Sequence, residues 1–388
     1  MTVQKEKKEM LATCWYQTKM VLVTLAVIML MFVHFSNEVR AESIVPLNSE
    51  RTIELSPSEC MMYKVEIPAD GVLNISGSSI SYGGMELSLI DQNNNVILQK
   101  EIRDSGAVSL SPFGVRKGDK YYIRVQGWAS WRGSHTLKFK AGFRETNYWE
   151  KEYNNSSDNA TNIVAGAKYT GNLYSSSDID YYKLKLSSNA KVSFTFGPEI
   201  VDGNEHPWNI DLINSKGESV RIYYGSTTST YTAFLKKGTY YFKVSGYYNS
   251  TQTNYKLTCK KKTFLVTTPV ITSAKAKGKH VKQDLWMFTK TYDNYVLLNR
   301  IKIKMKSECQ GYTVKVARKS NMKGSLLSQK IPVTRKNTIN LEQHFPVYKD
   351  YYMKMRGYVT TPFGENIYGK YSKVKKISLS NADYRRCQ

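Results

Sequence analysis

From Trp149 to Asp158 the chain reads WEKEYNNSSD, and further on, from Ser176 to Asp180, it reads SSDID. The first stretch places Glu150, Glu152, Asn154 and Asn155 together, and the second places Asp178 and Asp180 two apart. Side chains two apart on an extended chain lie on the same side. Each stretch therefore offers oxygen donors in pairs. Calcium takes six to eight such oxygens, from carboxylates, amides and carbonyls, in flexible geometry. These six residues form a candidate Ca²⁺ site. The same residues also suit a solvated acidic linker in which Asn and Ser make turns.

Other chemistry is sparse. Five His occur in 388 residues, and no H-E-x-x-H, G-x-S-x-G or Gly-rich phosphate loop is present. PEIVDGNEHPWNID gathers Glu199, Asp202, Glu205, His206 and Asp211. It reads as a polar loop leading into a strand. Cys60, Cys259, Cys309 and Cys387 fall one to each later block and one to the tail, with no spacing typical of metal ligands. No catalytic residue is assigned.

Charge and aromatics point to partners instead. The net charge is +24, and residues 263–388 hold 25 Lys+Arg against 7 Asp+Glu. Lys302, Lys304 and Lys306 alternate with Ile301, Ile303 and Met305, and Lys373, Lys375 and Lys376 follow. This basic surface suits anionic cell-wall polymer or acidic polysaccharide. Specific nucleic-acid recognition is not expected, since no reading helix or aromatic RNA-binding motif appears. Trp128, Trp131, Tyr247 and Tyr248 stand where connecting loops are usually small and polar. They form a candidate binding edge, because exposed rings stack on sugars or anchor protein partners; the rival reading is that one ring per loop, Trp128 and Tyr247, folds back and caps its core.

The elements that must hold these residues are strands. KGDKYYIRVQG, from Lys117, is echoed by KGTYYFKVSG, from Lys237. Tyr121, Ile123 and Val125 alternate with polar neighbours, as do Tyr240, Phe242 and Val244. Cys259 stands where Phe139 stands, which makes it a small buried hydrophobe. The expected fold is all-β, with three successive β-sandwiches at 42–143, 144–262 and 263–380 and a tail at 381–388. Residues 1–41 read as a signal peptide cleaved after Ala41, from their basic start and the apolar run Met20 to Phe35. An uncleaved anchor is the rival reading. No second apolar run of spanning length follows.

DIDYYKLKL, WNIDLIN, LKKGTYYFKVSG and NYKLTC together resemble the bacterial pre-peptidase C-terminal domain, and are similar to collagen-binding domains of clostridial collagenases. The resemblance covers 144–262 well and 42–143 more weakly. It implies a jelly-roll sandwich appended to secreted proteins, with calcium held by the acidic lead-in. Residues 263–380 resemble a Lys-rich bacterial fibronectin type III domain. Phe345 and the corner tyrosine Tyr351 carry that likeness, with Met305 where the family usually has Trp and an insertion at 278–299. The expected function is exported, non-catalytic binding or adhesion to polysaccharide, cell wall or matrix protein. A secreted hydrolase or its accessory module, and a ligand-free spacer, are the alternatives.

Overall fold

Alternating inward and outward side chains build every sheet of this molecule. The computed structural model describes residues 39–80, 83–130, 133–199, 208–246, 253–285, 289–333, 338–341 and 343–388. Strands dominate them, and the architecture is a series of β-sandwiches.

The first copy contributes β1 Val39–Ile44, β2 Glu50–Leu55, β3 Cys60–Glu66, β4 Gly71–Ser79, β5 Met85–Asp91, β6 Val96–Ile102, β7 Gly106–Ser109, β8 Phe113–Val115, β9 Lys120–Gly127 and β10 His135–Glu145. One sheet runs β1-β3-β9-β5-β6; the other runs β2-β10-β4-β7, with β8 beside β4. The second copy contributes β11 Thr161–Asn162, β12 Lys168–Asn172, β13 Ile179–Leu186, β14 Ala190–Pro198, β15 Trp208–Asn214, β16 Ser219–Gly225, β17 Ser229–Leu235, β18 Gly238–Gly246 and β19 Asn254–Thr263. Its sheets run β11-β13-β18-β15-β16 and β12-β19-β14-β17. Strand for strand the order is the same, down to the parallel pairing of the first strand with the third. The duplication legible in the sequence is a duplication of topology.

The period-two pattern appears as burial. Tyr121, Ile123 and Val125 are in the core, while Tyr122, Arg124 and Gln126 are half-exposed or exposed. Phe194 stacks on Phe242 across the second core, with ring centroids 4.1 Å apart. The turns use positive φ where the sequence placed Asn and Gly, at Asn94 (φ 65°) and Gly217 (φ 81°). Cys259 is fully buried at the place of Phe139. Burial pushes its thiol up to about 12. In the native chain at pH 8, Cys259 is expected to resist iodoacetamide and to react only on unfolding; mass mapping of the alkylated peptides checks this.

The third block contributes β20 Val270–Leu285, β21 Thr289–Lys304, β22 Gly311–Ala317, β23 Ser325–Pro332, β24 Thr338–Ile339, β25 Asp350–Thr360, β26 Asn366–Tyr368 and β27 Lys375–Ser378. Its sheets run β20-β21-β24 and β23-β22-β25-β26, with β27 on β25. The insertion at 278–299 is a continuation of the β20–β21 hairpin, paired from Val270↔Lys304 out to Leu285↔Thr289. At the start of β25, the Tyr351 hydroxyl donates to the Pro346 carbonyl and accepts from the Tyr348 N–H. This is the corner arrangement expected there. Residues read as a tail form helix α1, Asn381–Cys387, capped by the Ser380 side chain. Cys387 is buried against β20, where a Cβ on Gly278 would meet its Sγ at 2.8 Å.

Among the described residues, Cys60, Cys259, Cys309 and Cys387 are free thiols. By backbone contacts the chain divides into two units, one holding the chain through Asn155 with 169–178 and 248–255, the other holding 156–168, 179–247 and everything from 256 on. The boundaries read from the repeat, at 143/144 and 262/263, remain our proposal. Residues 1–38 lie outside the described residues, and β1 spans the proposed cleavage point after Ala41. Cleavage there leaves the rungs Ser43↔Tyr63 and Ile44↔Lys64. Among the described residues, no helix is long and apolar enough to cross a membrane.

Candidate metal centre

The lead-in to the second sandwich is positioned by β12. Trp149 bridges Thr170 in parallel, the Glu150 N–H donates to the Thr170 carbonyl at 3.0 Å, and the Thr170 N–H donates to the Tyr148 carbonyl at 2.9 Å. The chain beyond runs extended. Glu150, Glu152 and Asn154 face inward and are buried, while Tyr153 and Asn155 face outward. Asp180 lies on β13 in the inward series that continues with Tyr182, Leu184 and Leu186. Its register partner on β18 is Val244. In the first copy the corresponding place, opposite Val125, is held by Met61. A carboxylate has replaced a methionine on an inward face.

Glu150, Glu152 and Asp180 each bring a carboxylate oxygen within 4.8 Å of the others. Their residues are 0%, 2% and 0% exposed. Three ionised acids enclosed at this separation repel one another, and a cation seated among them would offset that repulsion. Neutral donors are present too. The Asn154 amide has both polar atoms buried with no hydrogen-bond partner, and Asn172 Oδ1 is likewise unpartnered. The donor set is wholly oxygen, which suits a hard cation. An ion held there would be enclosed by protein groups, which would favour Ca²⁺ over Mg²⁺, since Mg²⁺ keeps several waters.

Surrounding groups hold the acids in place. Glu150 accepts from the Asn172 N–H and, at 2.9 Å, from the Tyr255 hydroxyl. Gly171 is required for that approach, because a Cβ there would meet Glu150 Oε2 and the Tyr255 hydroxyl, both at 2.5 Å. Arg116 braces the segment from below by donating to the Glu152 carbonyl at 3.0 Å and the Lys151 carbonyl at 2.8 Å. Lys151 pairs with Asp70, which lowers the Asp70 carboxyl below the usual carboxylate range. Asn172, Tyr255 and Arg116 carried no signal in the sequence, since each lies far from the acidic stretch and belongs to another strand or turn.

The other two residues of the expected set pair with each other. Asn155 Nδ2 donates to Asp178 Oδ1 at 3.1 Å, and the Tyr174 N–H donates to Asp178 Oδ2 at 2.9 Å. Asp178 therefore closes the turn before β13, and Asn155 is exposed.

Of the aromatic edge, only Trp128 lies among the described residues. It is half-buried, with the Arg103 guanidinium 5.1 Å from its ring centre. Trp131, Tyr247 and Tyr248 lie outside the described residues. Lys302 and Lys304 are exposed on β21, and Lys306 is exposed just past its end. Lys373 is exposed, Lys375 is half-buried, and Lys376 pairs with Asp350 at 2.9 Å. In the polar loop, Glu199 pairs with Lys256 at 3.0 Å and Asp211 pairs with Arg221, while Asp202, Glu205 and His206 lie outside the described residues.

Neither a known family profile nor a curated protein matches the chain. Among solved structures, it is similar to the pre-peptidase C-terminal domain of a collagenase from Bacillus anthracis, at 18% identity over 27% of this chain and 99% of that one, with a TM-score of 0.23. It is also similar to the exported protein XepA of PBSX, at 12% identity over 56% and 88%, with a TM-score of 0.20. A third is the tandem CBM22 domain of Paenibacillus barcinonensis Xyn10C, at 9% identity over 52% and 82%, with a TM-score of 0.18. The fold described above rests on the sheet order, not on these likenesses.

Proposed function

We propose that this chain is an exported, non-catalytic binding protein whose second sandwich is clamped by Ca²⁺ at its lead-in, and whose modules attach to extracellular polysaccharide, anionic cell-wall polymer or matrix protein. The observation that carries the calcium reading is the inward cluster of Glu150, Glu152 and Asp180 beside the unpartnered Asn154 amide. The same burial argues against a hydrolytic role for these acids. At 0–2% exposure they are closed to a substrate, whereas a glycosidase pair must flank the bond it cleaves. Bound calcium would be held by these three carboxylates with Asn154 and Asn172.

The third block, with a three-stranded and a five-stranded sheet and a tyrosine corner, is read as fibronectin type III-like. Calorimetric titration of the full chain with Ca²⁺, followed by glycan- and matrix-array binding in Ca²⁺ and in chelator, tests the proposal. Saturable heat at up to millimolar Ca²⁺ and array binding are expected. Absence of heat removes the clamp; absence of array binding removes the attachment role.

A further inference from the structure

We propose that the outward face of the sheet β23-β22-β25-β26 is a docking surface for a linear anionic polysaccharide, distinct from the Lys302, Lys304 and Lys306 row on the opposite sheet. The inference rests on the binding role proposed above and names its face and ligand class. It does not depend on the calcium site.

Lys315 and Lys354 stand directly opposite each other on β22 and β25. Like charges in that position destabilise a sheet unless something offsets them. Arg356 lies two residues beyond Lys354, on the same face. The strands β22, β23, β25, β26 and β27 hold one carboxylate, Asp350. It lies at the start of β25 and is already held by Lys376 and Ser378. The centre of the face is therefore cationic, with no acid in these strands left to answer it.

The cations are held in place by rings. Arg356 lies 3.8 Å from the Tyr368 ring centre and 4.8 Å from that of Tyr371, and Lys354 and Lys315 lie 4.9 and 5.6 Å from the Tyr371 ring. Such contacts fix long side chains before a ligand arrives, so less freedom is lost on binding. They also cover the ring faces. Base stacking, on which single-stranded nucleic acid relies, has little ring left to use. What the face presents is charge at set spacing, about 7 Å along a strand and about 5 Å between strands.

Two buried polar atoms at the centre lack partners, Arg356 Nε and Thr313 Oγ1, and their residues are register neighbours. A sulfate or carboxylate matches the guanidinium fork.

The test uses the full chain and size-defined dextran sulfate, with neutral dextran and duplex DNA alongside. Dextran sulfate is expected to bind and to release as salt rises, and neutral dextran to fail. Lys354→Gln with Arg356→Gln should weaken binding by about tenfold or more, the loss of charge-assisted contacts. Lys302→Gln with Lys304→Gln and Lys306→Gln should leave it within about twofold, since these side chains lie on another sheet. An unchanged melting temperature certifies the fold of each variant. Should the double variant prove unstable, Arg356→Lys serves instead, and a several-fold loss is expected because the charge stays and the fork goes. Equal weakening by the two sets of variants overturns the proposal, as does dextran sulfate binding indifferent to Lys354 and Arg356. Duplex DNA bound more tightly through the same residues would also overturn it, in favour of a nucleic-acid surface.

Discussion

Adding millimolar Ca²⁺ to a chelator-stripped preparation of the full chain is expected to raise the melting transition of the second sandwich by on the order of 10 °C. A ligand present at a hundredfold over its dissociation constant stabilises the native state by about 2.7 kcal/mol. In a domain of this size each kcal/mol moves the midpoint by about 4 °C. The effect is large because the apo site is costly. Glu150, Glu152 and Asp180 converge within 4.8 Å and are enclosed, so their ionised forms repel one another at close range. Scanning calorimetry with and without chelator reads the shift. A transition that stays in place at millimolar Ca²⁺ would remove the clamp.

Glu150→Ala should destabilise even in chelator, by about 2–6 kcal/mol. The Asn172 N–H and the Tyr255 hydroxyl both donate to Glu150. Truncation leaves two buried donors without this acceptor, at about 1–3 kcal/mol each. Glu150→Gln separates the two roles of the residue. It keeps an oxygen for Tyr255 or Asn172 but removes a charge, so it should melt close to the unaltered chain in chelator and respond weakly to Ca²⁺. Denaturant unfolding of the three proteins in chelator, then in Ca²⁺, measures both effects. An alanine variant as stable as the parent would show that the hydrogen bonds carry no weight.

Much of the fold was legible because its signals are local. Alternation along Tyr121–Val125 and Tyr240–Val244 marks which side is inside, and the echo between the copies extends to matching sheet order. Cys259 could be read as a core residue because Phe139 holds the same place. The centre was half legible. Glu150, Glu152 and Asp180 stand out by spacing, and the structure brings them together. That spacing says nothing of depth, however, and the same acids fit a solvated linker. Depth comes from Tyr255, Asn172 and Arg116, which reach the segment through contacts distant in sequence and leave no periodic trace. Asn155 and Asp178 show the limit of spacing. They share the composition of the set, yet their side chains satisfy each other. The hairpin at 278–299 and helix α1 escaped for a related reason, because the hairpin puts Val296 and Leu298 in the core at its base but His280, Val281 and Lys282 in solvent beyond it, and the helix is only seven residues long.

The shared sheet order has a practical consequence. Met61 takes, in the first copy, the inward place that Asp180 takes in the second. The molecule thus carries its own blank: two bodies of one design, a thioether at the pivotal spot in one and an acid in the other. In a single tube, a chelator should displace the melting step of the second copy and spare that of its sibling, so that each trace supplies the baseline against which the other is judged.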